Sequence, residues 1–248
     1  MVGAIFALAW PTMLEQLMHT AVQYIDTAMV GSLGTEATAA VGATTTVNWL
    51  IGSTISAIGV GFLAYISQAR GAGRAQDARK ASSQAALSVL VCGVFFTLLT
   101  LGLSGVIPAW MQVEEGIRSL ASRYFFILYM AMLPRTASII FGTVLRATGD
   151  TKTPMRVGIG VNMINVVLNF LLIYPTRDIV LFGTKLVIPG ADMGVTGAAV
   201  ASAIAFTAGG ISITRAVWKH PEISPKGQSF RPDKGVLIPC LRVAGPNA

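Results

Sequence analysis

Charge is scarce in this sequence, and so is any polar stretch long enough to clothe a water-soluble globule. Only 12% of the 248 residues are charged while 53% are hydrophobic, against about a quarter charged in an ordinary soluble domain. Mean hydropathy is +0.66. Such a chain cannot cover itself with polar side chains, so lipid is what its apolar residues are expected to face. Cysteine is almost absent. Cys92 lies in an apolar run and Cys240 near the chain end, which excludes a disulfide framework or thiolate metal site and leaves two small apolar fillers. A cleavable-signal pattern is missing too: Met1 is followed at once by apolar residues with no basic lead, and the first apolar run is broken by Glu15, His19 and Asp26. The apolar–polar alternation of a transmembrane barrel is absent. No nucleophile–base–acid set and no metal-ligand cluster stands out, so neither enzyme chemistry nor a resident cofactor is expected.

What is present is a series of long apolar runs. A bilayer-spanning helix needs about 20 mainly apolar residues, and six runs qualify, at 2–30, 37–66, 81–106, 120–145, 154–174 and 194–217. A seventh begins at Val236. The formal charge of +7 does not point to nucleic acid, because the basic residues sit in short connections between the runs. Thirteen of the 18 Lys and Arg fall in the connections 68–80, 146–156 and 215–242, and three in 31–36, 107–118 and 175–193. The positive-inside rule then puts the basic connections and both ends of the chain in the cytoplasm, and the bacterial inner membrane is the expected location. The stretch 218–235, with Pro221, Pro225 and Pro232, reads as a cytoplasmic linker between two halves. Beyond it "VAGPNA" (243–248) resembles "LAWPTM" (8–13), with Ala9 and Ala244, and Pro11 and Pro246, in register. The expectation is a six-helix lobe over 1–217, the linker, and the start of a seventh helix over 236–248. The chain then holds the first of two repeats, clipped at its N-terminus as well.

Polar residues inside apolar runs are expensive and need a cavity, a partner or a function. At about 100° per residue, Glu15, His19 and Asp26 share one stripe of the first helix with Gln23 on its edge. The stripe lines a pathway, or its two acids sit at the membrane interfaces. Asn162, Asn165 and Asn169 also share a face, either joining helices or lining a polar cavity. Arg135 follows Pro134 in mid-span and pairs with an acid, snorkels, or marks a helix break. Gly52/Ser56 and Gly197/Ala201 have the spacing that lets helices approach closely. "RGAGRAQ" (70–76) lacks the third glycine and the βαβ setting of a dinucleotide loop, and reads as a tight turn. Pro11 removes one helical hydrogen bond and is a candidate hinge.

Four motifs in order then resemble one family. They are "YIDTAMVGSLGTEATAAVG" (24–42), "ISQARGAGR" (66–74), "LRATGDTKTPM" (145–155) and "GVTGAAVAS" (194–202). They are similar to the multidrug and toxic compound extrusion (MATE) transporters over nearly the whole chain. The resemblance implies an all-α membrane protein, a twelve-helix antiporter of two six-helix lobes, monomeric when complete. It would exchange organic, often cationic, drugs for protons or sodium. Asp26 matches the first-helix coupling acid, with sodium possible there; Asn165 and Asn169 match a fifth-helix pair, and Ser202 a sixth-helix hydroxyl. Position 169 departs, being Asn where several relatives carry Asp, so a two-carboxylate proton site is not carried over. Glu15 is the candidate second charge from the residues alone, with His19 and Gln23 as cavity candidates. Two other readings are a lipid-linked oligosaccharide flippase of the same superfamily, whose cavity should be richer in Arg and Lys than Arg135 alone, and a membrane-embedded enzyme or assembly subunit.

Overall fold

The computed structural model of the chain describes residues 2–181 and 184–245; Pro246, the second proline of the repeat expectation, lies outside them. Helix follows helix: α1 (Val2–Gly31), α2 (Thr35–Gly71), α3 (Ala75–Leu103), the short α4 (Ile107–Trp110), α5 (Glu115–Met130), α6 (Met132–Ala147) and α7 (Lys152–Leu172). A hairpin of β1 (Pro175–Leu181) and β2 (Thr184–Ala191) precedes α8 (Gly194–Lys219), and α9 (Lys234–Ala244) follows. Apolar runs in lipid fold this way because a helix satisfies its own backbone. By length and apolarity α2, α3, α7 and α8 can each cross a bilayer, and α5 with α6 forms one more span, bent by 51°. The first expected span, α1, has 30 residues, about 45 Å at 1.5 Å per residue. It is long enough, but its polar side chains keep it out of that apolar class.

The expected fourth span is therefore broken, at Ala131 between α5 and α6. Pro134 has no N–H to give the carbonyl one turn earlier, and the ladder resumes with Arg135 N–H on Ala131 O at 3.1 Å. The connection 175–193 holds an antiparallel hairpin with Asp178 opposite Val187, which the sequence reading did not anticipate. Arg177 ties it to α7, its guanidinium 4.0 Å from the Phe170 ring centroid and 4.3 Å from that of Tyr174.

α6 packs against α2, α3 and α8, burying Ile55, Phe62, Phe125, Tyr129, Phe141 and Ile213. Lipid tails are as apolar as these side chains, so close fit rather than water exclusion holds membrane helices together. Gly197 shows the fit: a Cβ there would lie 2.5 Å from the Leu172 carbonyl oxygen, so the α7 and α8 backbones touch, as its spacing predicts. Gly52 meets only the Arg135 side chain, so that spacing marks no helix contact. Gly61, unremarkable in sequence, lies against the Cys240 backbone. It seats α9 on α2, with Cys240 buried as an apolar filler. Leu17, Trp49, Phe95, Leu98 and Ile211 keep more than half their surface exposed, giving the outer faces the apolar character a bilayer requires.

The basic connections meet at one end of the helices. Arg70 pairs with Glu222 at 2.7 Å and reaches the Ala147 carbonyl at 3.4 Å. Arg79 donates to the carbonyls of Pro221 at 2.8 Å and Glu222 at 3.3 Å. "RGAGRAQ" is the expected turn, with Gly73 at φ 74°. The segment between α8 and α9 is no loose tether. Buried Gln84 donates to Arg231 O at 2.9 Å and accepts from Asp233 N–H at 3.0 Å, and Ser83 donates to Ser229 O at 3.1 Å. Asp233 pairs with Lys80 and caps α9 through Gly235 N–H at 2.7 Å. The Lys80 ammonium first, and that N–H second, hold its carboxyl below the usual carboxylate range.

Candidate cation and substrate site

Asp26 lies five residues before the end of α1, where α1 packs on α7. Asn165 and Asn169 stand one turn apart on α7, 6% and 1% exposed, so nearly the whole of each amide needs a protein partner. Asn169 Nδ2 donates to Asp26 Oδ1 at 2.7 Å. An ionised carboxylate only accepts, so Asn165 turns its nitrogen to Asp26, 3.0 Å from both oxygens, and its oxygen accepts from the Ser202 hydroxyl of α8 at 3.0 Å. In the reverse orientation the same amide donates to Ser202 at 3.0 Å and accepts from Asn169 at 3.2 Å. Four sequence-predicted residues on three helices thus form one hydrogen-bonded group. Asn162, also buried, stays outside it. Asn169 Oδ1 is buried and meets no donor among the described residues.

The rest of the α1 stripe divides. Glu15 is eleven residues from Asp26, about 16 Å along the axis, and is held by Arg146 of α6 at 2.7 and 2.9 Å. Gly158 of α7 makes room for it, since a Cβ there would lie 3.3 Å from the Glu15 carboxylate. His19 and Gln23 are exposed, and their side chains form no hydrogen bond among the described residues. Pro11 is buried within α1, one turn before Glu15. Among the described residues no group of three or more His, Cys, Asp or Glu could hold a metal ion.

Arg135 finds no acid among the described residues. Its Nη1 donates to Asn48 Oδ1 of α2, which Tyr129 also reaches at 3.4 Å, and its guanidinium sits 5.1 Å from the Phe206 ring centroid of α8. The sequence reading missed Asn48, Arg146 and Gln84. Asn48 carried a signal as a lone amide in an apolar run. Arg146 was hidden among the basic residues that set orientation, and Gln84 at the edge of a span.

The MatE family model matches residues 11–171. The chain is 28% identical over 241 residues to a probable multidrug resistance protein NorM of Thermotoga maritima, covering 97% of this chain and 50% of that protein. It is 26% identical to an uncharacterized transporter, YisQ, of Bacillus subtilis, covering 99% of this chain and 52% of that one. A crystal structure of MATE in complex with MaD3S superposes with a TM-score of 0.85 at 25% identity, over 98% of this chain and 52% of that one. The chain thus spans about half the length of the relatives it matches. A polar group built on α1, α7 and α8 inside an apolar helical lobe, the match to the family model and the shared fold lead to one conclusion: this chain belongs to the MatE family of transporters, as an N-terminal half.

Proposed function

We propose that the full-length protein is a multidrug efflux antiporter of the inner membrane, exporting organic cations in exchange for protons or sodium, with Asp26 as the coupling group of this lobe. The observation that carries this reading is the Asp26 carboxylate on α1, met by Asn169 and Asn165 of α7 and, through Asn165, by Ser202 of α8. A carboxylate withdrawn from water gains by taking up a proton or cation. The two amides donate to the carboxylate as it stands; their oxygens, of which Asn169 Oδ1 meets no donor among the described residues, would suit a bound hard cation if the amides turned, since such cations prefer oxygen ligands. When Asp26 accepts a proton it becomes a donor, and the Asn165 amide gains by turning over. The same event thereby changes how α1, α7 and α8 are tied together. Two lobes rocking about a shared cavity would convert that change into alternating access. The gathering of basic residues at one end supports placing that end in the cytoplasm. Glu15 is here a structural partner of Arg146, and coupling rests on Asp26.

The test is Asp26→Asn in the full-length protein, assayed as drug efflux from proteoliposomes under an imposed proton gradient and, separately, a sodium gradient. Normal membrane abundance with efflux near background under both is expected, because neutralising a membrane acid favours insertion. Asn165→Ala and Ser202→Ala should weaken transport more mildly, each removing one neutral hydrogen-bonding group. Wild-type rates from Asp26→Asn under both gradients would sink the assignment.

A further inference from the structure

A groove on the outside of the lobe has a charged mouth that transport through the polar group does not use. It holds about 570 Å³, within the range of small-molecule sites, about 300–1,000 Å³. Ala86 and Leu90 of α3, Pro134 and Phe141 of α6 and Ile211 of α8 form its walls. The helices beneath it touch: a Cβ at Gly210 would run into the Pro134 carbonyl. The lining is apolar apart from Thr214, Arg215 and the indole N–H of Trp218. The Thr214 hydroxyl is taken up by Gly210 O at 2.6 Å, which leaves the other two.

The groove turns away from the coupling group. Ile211, Arg215 and Trp218 lie about 180°, 140° and 160° around α8 from Ser202, at about 100° per residue. Leu90 and Ile211 keep 55% and 64% of their surface exposed, on a face that meets lipid. Along α8 the groove runs from Gly210 to Trp218, about 12 Å, against about 15 Å for one leaflet of a hydrocarbon core about 30 Å thick. It starts beside the break in mid-span and stops one residue short of the end of α8, where the basic connections gather. Unpaired donors stand at that end. The exposed Arg215 side chain forms no ion pair or hydrogen bond among the described residues, and neither does that of Lys219, one turn further on. The Trp218 ring packs edge-on against Phe141, centroids 5.5 Å apart. Its N–H donates to nothing among the described residues and is not sealed off by protein. Tryptophan and arginine at such a helix end sit at headgroup level. An apolar slot one leaflet deep with cations at its mouth is complementary to an anionic lipid, the chain in the slot and the phosphate on the guanidinium. A lipid without net charge would fill the slot and leave Arg215 and Lys219 unanswered.

We propose that this groove binds one anionic phospholipid from the leaflet on the basic side, an acyl chain lying between α3, α6 and α8 and the phosphate held by Arg215 with Lys219 beside it. The bound chain braces α6 against α8 next to the break in the fourth span. The test is native mass spectrometry of the full-length protein in detergent, titrated with three probes. They are dioleoylphosphatidylglycerol, dioleoylphosphatidylcholine (the same chains with no net charge) and glycerophosphoglycerol (the anionic head without chains). Wild type should bind the first about tenfold or more tightly than the second, since each basic residue near the surface is worth about fivefold, and the third far more weakly than either. Arg215→Gln should cut the preference for the anionic lipid about fivefold; the side chain has no protein partner to lose, so this variant keeps the test decisive even where another fails to fold. Ala86→Phe, which fills the slot, should weaken both lipids by a similar factor. Equal affinity of the wild type for the two lipids, or a preference unchanged in Arg215→Gln, would overturn the proposal. Lipid binding untouched by Ala86→Phe would place the lipid elsewhere and overturn it, and glycerophosphoglycerol bound as tightly as the lipid would reduce the site to one for anions. A two-chain mass that Ala86→Phe returns to one chain would give the groove to a second copy, and no lipid binding at all would mean that the second half of the protein covers it; either result removes the lipid.

Discussion

Removing either member of the Glu15–Arg146 pair should destabilise the protein without abolishing ion coupling. The two side chains are 22% and 24% exposed. They stand between an open surface pair, worth about 0–1 kcal/mol, and a sealed one, whose breakage costs about 3–5 kcal/mol. Two short hydrogen bonds from one guanidinium nitrogen, at 2.7 and 2.9 Å, and a buried Arg146 Nε without a partner among the described residues move the estimate above the surface value. About 2 kcal/mol is expected for Glu15→Gln or Arg146→Gln alone. At about 2–4 °C per kcal/mol for 150–250 residues, each single variant should lower the melting temperature in detergent by roughly 4–8 °C, and by less in a longer chain. The double variant should lose little more than either single one, because the second substitution removes a charge already left unpaired. Additive losses across the cycle would refute the pairing. The efflux arm separates structure from coupling: Glu15→Gln protein that reaches the membrane should still pump in response to the gradient. Loss of ion dependence there, with efflux otherwise retained, would return Glu15 to the coupling site.

Two further outcomes are expected. The carboxyl of Asp233 is held below its ordinary range by Lys80, so its contribution to fastening the segment after α8 is present above about pH 4 and lost as pH falls below that. Amide hydrogen exchange at residues 233–236, corrected for intrinsic rate, should stay slow from pH 7 to about 4 and quicken below it, whereas Asp233→Asn should be fast throughout; protection unchanged down to pH 2 would sink the assignment. In a background with Cys92 and Cys240 replaced, Ala72→Cys and Lys226→Cys should resist an impermeant thiol reagent in intact cells while Met193→Cys reacts, and the opposite pattern would invert the membrane orientation.

Much of the fold was legible because lipid leaves few choices: a long apolar run must be a helix, and its length sets the span. What escaped was decided by single residues acting on their neighbours. The break in the fourth span comes from Pro134 denying one carbonyl its donor, and a proline in a membrane helix is tolerated as often as it is disruptive. The hairpin within 175–193 was not anticipated, because that connection was read for its basic residues alone and carries no Asn-Gly or Asp-Gly turn signal. In the candidate site, Asp26, Asn165, Asn169 and Ser202, named from the family motif and the helical spacing, each lie within hydrogen-bond distance of another of the four on α1, α7 and α8. The stripe on α1, read as a pathway lining or as two interfacial acids, separates in three dimensions because each acid answers to a different neighbouring helix, α7 for Asp26 and α6 for Glu15. Helical periodicity places residues on a face but cannot say which helix packs against each part of it.

The amide at position 169 has a consequence for how the lobe would work. Two carboxylates in contact titrate as a pair, and the first proton bound weakens the hold on the second. Here Asp26 has amides for neighbours, and the nearest other acid on its helix, Glu15, is neutralised by Arg146. Under the coupling proposed above, a carboxylate with no acid beside it would take up one positive charge in this lobe, without a strongly coupled second step, since amides can follow its change of state by turning their dipoles at no cost in charge. The Asn165 amide, whose nitrogen faces Asp26 and whose oxygen accepts from Ser202, would then be the element through which binding at Asp26 is felt on α8.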